Sequence, residues 1–138
     1  MCFRAPPEAE KIYVRLQETI DIARKVGGEK HNLKYIQLPV NMIMAEAFAH
    51  PWQEFQENDK VLTENLFQVA RRLNVNVITS APLAQGQIAK AEPPVDIFNL
   101  PTASAKHIQF TRSIPAQALL SSFVNQHISN LFSHIGGA

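Results

Sequence analysis

The sequence predicts an α/β fold, an incomplete parallel βα barrel in a single domain over residues 1–138. Three observations lead there. Helical and strand patterns alternate along the chain, and crossover helices between strands argue for parallel pairing with right-handed connections. The run from Val75 to Gly86 reads as a short buried strand entering a loop punctuated by Pro82 and Gly86, and in βα-repeat proteins ligands sit on loops at the carboxyl ends of strands. Finally, only three strands are expected, with a helix in front of the first. Parallel strands need cover on both faces and neighbours at their edges, so this set is part of a barrel rather than a free-standing sheet.

The first helix is expected after Pro6-Pro7, with Glu8 and Glu10 at its positive end. Ile12, Leu16, Thr19, Ile20 and Ala23 form its apolar face, and Arg24-Lys25 followed by Gly27-Gly28 close it. Tyr35–Val40 is the first strand, with Pro39 near its end. Residues 41–58 read as a long connection containing Pro51 and Trp52. A second helix is predicted from about Lys60 to Leu73, because Leu62, Leu66, Val69, Ala70 and Leu73 make one stripe. Asp59 is its expected cap and Arg71-Arg72 suit its negative end.

Val75–Ser80 is the next strand, and residues 81–101 form a Pro-rich loop. Thr102 is placed to cap a short helix through about Thr111. Residues 117–124 have room for a third strand, although Leu119–Phe123 equally suits a helix. A last helix carries Val124, Ile128, Leu131, Phe132 and Ile135 on one face and ends at Gly136-Gly137.

Composition narrows the function classes. Hydrophobic residues are 46% and charged residues 18% of the 138, as in an ordinary globular domain with one real core. Thirteen basic against twelve acidic residues give a net charge of +1, which makes no electrostatic case for nucleic acid or a membrane surface. The single cysteine, Cys2, cannot form an internal disulfide and suits a reducing compartment. No apolar stretch has signal-peptide character or approaches the ~20 residues of a membrane span. The expected location is cytoplasmic.

Several pieces of the chain resemble the C-terminal part of bacterial and plant-type aldo/keto reductases. They are Phe3-Arg-Ala-Pro-Pro7, Val26-Gly-Gly28, Tyr35-Ile-Gln-Leu-Pro-Val-Asn41, Val77-Ile-Thr-Ser-Ala-Pro-Leu-Ala-Gln-Gly86, Leu100-Pro101 and Gln109-Phe-Thr-Arg-Ser113. The resemblance implies an eight-stranded (β/α) barrel that binds a nicotinamide dinucleotide, usually NADPH, at its C-terminal face. The strands here would be its sixth, seventh and eighth.

Position by position, the resemblance implies that Gln37 holds the nicotinamide carboxamide, using both donor and acceptor. It implies that Ala81-Pro82-Leu83 brings backbone to the pyrophosphate, and that Gly86 closes that loop where a side chain would obstruct the turn. Ser80 replaces an aromatic ring that stacks on nicotinamide in many members. Beyond Pro115 the match slips by a residue or two, and Ser121, Ser122 and Asn125 are the nearest candidates for the adenosine 2′-phosphate site.

The family's catalytic Asp, Tyr, Lys and His belong to the first four strands, which have no counterpart here. Carbonyl reduction needs a proton donor beside the oxygen. Tyr13, in the expected first helix, and Tyr35, at the start of a strand, are misplaced for that task. The chain alone is therefore not expected to reduce a carbonyl. His31, His50, His107, His127 and His134 are scattered, and the only helical pair, His127 and His134, is seven apart with no acid at metal-ligand spacing. Ser80, Asp96 and His107 lack the nucleophile elbow of a triad, and Cys2 reads as a bystander. The sequence thus suggests a truncated, NADP-type half-barrel without catalytic residues. The alternative is a non-catalytic interaction module whose exposed edges pair with a complementary half or with a second copy.

Overall fold

The computed structural model describes residues 2–93 and 99–117. They form a mixed α/β fold in the order α1 (Leu16–Gly27), β1 (Tyr35–Pro39), α2 (Glu46–Ala49), β2 (Gln53–Glu57), β3 (Lys60–Glu64), α3 (Leu66–Arg72), β4 (Asn76–Ser80), a 3-10 turn (Ala84–Gly86) and α4 (Ala103–Gln117). The strands make two small sheets, a parallel β1–β4 pair and an antiparallel β2–β3 pair, and no barrel closes among the described residues. The chain divides into two compact units. One is Met1–Leu38 with Ala45–Ile78, and the other is Pro39–Met44 with Thr79–Ala138.

In the first unit, α1 begins at Leu16 rather than soon after Pro6-Pro7. Residues 7–12 are mostly turns, with Ala9 N donating to Pro6 O and Tyr13 N to Ala9 O. They fold the chain back so that Cys2 bridges to Tyr13, and the Tyr13 hydroxyl donates to Trp52 O at 2.6 Å. Ile12, expected on the helix face, is instead exposed. The helix closes as the sequence indicates: Gly28, at φ +70°, donates to Arg24 O, a backbone angle that favours glycine.

The predicted helix over residues 60–73 divides in two. Lys60–Glu64 pairs with Gln53–Glu57 as a hairpin turning at Asn58-Asp59, with Phe55 opposite Leu62. Asp59 therefore lies in a turn. Asn65 is the cap of α3, in a reciprocal box with Gln68: each side chain reaches the other's backbone amide at 3.0 Å. Leu66, Phe67, Val69 and Ala70 are buried and pack with Leu16 and Ile20 of α1 in the core of this unit. Arg72 lies over the Phe55 ring and pairs with Glu57 and Glu64, which ties the end of α3 to the hairpin.

In the second unit, Thr102 Oγ1 accepts from Ala105 N as the expected cap of α4. The helix runs on to Gln117, past the Thr111 end that the sequence suggested. Continued helical spacing explains this, because Ala103, His107, Phe110, Thr111 and Ile114 then share one buried face. The predicted third strand begins at Gln117, the last residue of α4. The rest of that strand and the last helix fall outside the described residues. No described helix is long and apolar enough to cross a membrane.

Candidate functional site

In the second unit the carboxyl ends of the parallel strands β1 and β4 meet. Val40 N donates to Ser80 O at 3.0 Å, and Val40 O lies 3.4 Å from Thr111 Oγ1 on α4. Directly after Val40 sits Asn41, with no exposed surface. Its Nδ2 donates to Ala81 O at 2.8 Å, and its Oδ1 accepts from Ile43 N and Met44 N. Asn41 and Met44 also exchange backbone hydrogen bonds, each 3.2 Å long. The side chain thus folds residues 41–44 into a tight turn and fastens the loop after β4 to it. Each polar group of the buried amide that these bonds use is satisfied.

The fastened loop has an unusual backbone. Ala81 (φ 53°), Ala84 (φ 48°), Gln85 (φ 57°) and Gly86 (φ 91°) all occupy positive φ within six residues. For a residue with a Cβ this conformation costs on the order of 1–2 kcal/mol, and such strain concentrates at binding and catalytic loops. A Cβ at Gly86 would meet no atom within 4 Å. The glycine is therefore required by the backbone angle, not by lack of room.

Of the residues assigned to a cofactor site on the resemblance, Ala81, Leu83 and Gly86 fall in this one loop and Ser80 is the last residue of β4 before it. Ser80, Ala81 and Leu83 are half-buried and Gly86 is exposed. Gln37 lies on β1 in the first unit, with its side chain exposed. Ser121 lies outside the described residues. Asn41, which organises the loop, was legible only as part of a family-like segment. The signal that could have marked it is an Asn just after a strand, where its side chain readily closes an Asx turn.

Tyr13 and Tyr35 are placed differently from one another. Tyr35 is 61% exposed at the start of β1. Tyr13 lies at the bridge to Cys2 rather than in a helix, and burial, aided by the nearby Glu54 carboxylate, raises its phenol above the ordinary tyrosine range. No three His, Cys, Asp or Glu side chains converge as metal ligands among the described residues. The first unit has a groove of about 350 Å³ whose lining includes Arg15, Glu18, Asp21 and Glu54. Arg15 pairs with Glu18 and Glu54, and Asp21 with Arg24, so these charges largely neutralise one another. No family model matches this chain, and neither a curated protein nor a solved structure does.

Proposed function

We propose that this chain is the C-terminal part of an NADP-dependent aldo/keto reductase-type barrel. In this reading it contributes part of the wall that holds the dinucleotide and none of the groups that transfer protons. The observation that carries the reading is the Ala81–Gly86 loop, held at the carboxyl end of a parallel strand pair, with positive φ at Ala81, Ala84, Gln85 and Gly86, and pinned by Asn41. A loop so fixed turns main-chain groups toward a phosphate without ordering cost at binding. The parallel β1–β4 pair, bridged by an intervening segment that contains α3, suits strands six and seven of such a barrel. Gln37 and Ser80 would then serve the nicotinamide, and Ser121 the adenosine phosphate. Carbonyl reduction by this chain alone is not expected, since in this reading the catalytic Asp, Tyr, Lys and His belong to the first four strands.

Titration with NADPH, followed by the change in its fluorescence, tests the reading. Binding at up to about millimolar cofactor, weakened by Gly86→Val, is the expected outcome. Absence of binding at that concentration removes cofactor binding as a present function.

A second reading has its own observation. The β1–β4 pair leaves Tyr35, Gln37, Asn76 and Ile78 exposed on the first unit, with Tyr35 at 61% and Ile78 at 49%. A sheet of two parallel strands with such a face suits an interaction module that pairs with a complementary half or with another copy of itself. The mass of the chain in solution separates this reading from the first.

A further inference from the structure

After the candidate loop, residues 87–93 run along the first turns of α4 as a strap. Ile88 anchors one end in the core of the second unit, and Pro93 is buried at the other. Between them, three side chains of α4 hold the strap. Ser104 Oγ donates to Ala89 O at 2.6 Å, Lys106 Nζ pairs with Glu92 at 2.9 Å, and His107 Nε2 lies 2.9 Å from Ala91 O.

His107 differs from the other two because its ring is buried, with the residue only 3% exposed. Its partner is a carbonyl oxygen, which can only accept, so Nε2 carries the proton in the neutral ring. Nδ1 is then a bare acceptor, and it is buried with no hydrogen-bond partner among the described residues. A proton added at Nδ1 would become a second N–H donor, charged and enclosed, with no acceptor beside it among the described residues. A charged ring that swings out to water gains acceptors, and in doing so it breaks the bond to Ala91. Imidazole is the one side chain whose ordinary titration falls in the physiological range.

The geometry points to His107 as a proton-operated latch: the neutral ring fastens residues 87–93 to α4, and the protonated ring releases them. Among the described residues, the charged groups on the elements around it are Lys90 and Glu92 of the strap and Lys106 and Arg112 of α4. The 39–44 segment, which meets α4 at Thr111, carries no titratable side chain. Glu92 is engaged by Lys106 and offers no described contact to the ring. Release would also loosen the candidate loop, because Ile88 N donates to Leu83 O and Ala89 N to Gly86 O. The latch does not depend on whether that loop binds a dinucleotide.

Amide hydrogen exchange on the full chain tests it, with protection corrected for the chemical exchange rate at each pH. Between about pH 7.5 and about pH 5.5, protection over residues 87–93 should fall roughly tenfold, while the amides of Phe110 and Ile114 stay unchanged. His107→Gln should abolish the fall, since its amide can donate to Ala91 O but gains no proton. A flat wild-type profile overturns the latch. So does an equal fall in His107→Gln, or a fall that Glu92→Gln removes instead. If His107→Gln does not fold, the imidazole nitrogen shifts of the wild-type protein decide the matter. Strap release at the midpoint of ring protonation supports the latch, and release at a different pH overturns it.

Discussion

At the scale of single residues, the second unit turns on Asn41 and the first on Gln53. Gln53 is 1% exposed, yet its amide is fully used. Oε1 accepts from Leu16 N at 2.8 Å, and Nε2 donates to Phe3 O and Val14 O at 3.0 Å each. The first amide of α1 would otherwise have no partner. A side chain from β2 thus acts as the helix cap while holding the N-terminal turns in place. Gln53→Leu keeps the volume but takes the side-chain partner from one buried amide and two part-buried carbonyls. We expect a loss of about 2–4 kcal/mol, seen as a lower urea midpoint with an unchanged slope. A shift within error would mean that water replaces these bonds.

Tyr13 adds a pH dependence to the same region. Its phenol is raised in the folded chain, first by burial, so the folded state holds the proton more tightly than the unfolded one. The sign follows from linkage. The stabilisation is fully present below the unfolded value of 10.0 and is lost as pH rises through the higher folded value. Alkaline melting curves should therefore show a drop above about pH 10 that Tyr13→Phe reduces. The variant should be weaker than wild type by about 1 kcal/mol at neutral pH, through loss of the bond to Trp52 O.

At the scale of elements, α3 carries the clearest local signal in the chain. Asn65 and Gln68 form a capping box, and Asn65 Nδ2 also donates to Phe48 O. Asn65→Ala should cost about 1 kcal/mol, while Asp59→Ala, at the expected cap that is instead a turn, should cost much less. Equal effects at the two positions would contradict the assignment of the helix start. The sequence contains this box, but the apolar stripe from Leu62 to Leu73 masked it. Leu62 fits helical spacing with Leu66, and it fits equally well in a strand beside exposed Val61 and Thr63. Periodicity cannot separate these over so short a run. What decides is the hairpin partner Gln53–Glu57, in a stretch that reads as loop because its polar residues hide the pairing. The same lack of distant information moved the start of α1, whose cap lies 37 residues away. Where the signal was local the reading held: β1 and β4 within a residue or so, the close of α1 at Gly28, and the Thr102 cap. The candidate loop was legible in the same way, from Pro82 and Gly86. Its fastening by Asn41 was not, because that bond joins positions 40 residues apart.

At the scale of the molecule, the parallel β1–β4 pair poses the remaining question. Purely parallel sheets occur almost only with both faces covered, and here one face keeps Tyr35 and Ile78 open. In the second reading proposed above, a second copy would cover that face. With a net charge of only +1, two copies meet little electrostatic opposition. Association through this face would rest on apolar burial and strand edges, so it should grow with protein concentration and respond little to salt. Ile78→Lys places a cation in the middle of the face and should shift the equilibrium toward monomer by roughly tenfold or more, as read by sedimentation velocity. The substitution is at an exposed position, so the melting temperature of the monomer should hardly move. A wild-type chain that stays monomeric over the full concentration range, with a single cooperative melt, would count against any pairing role for this face. It would leave the proposed dinucleotide role of the loop after β4 as the reading for NADPH titration to decide.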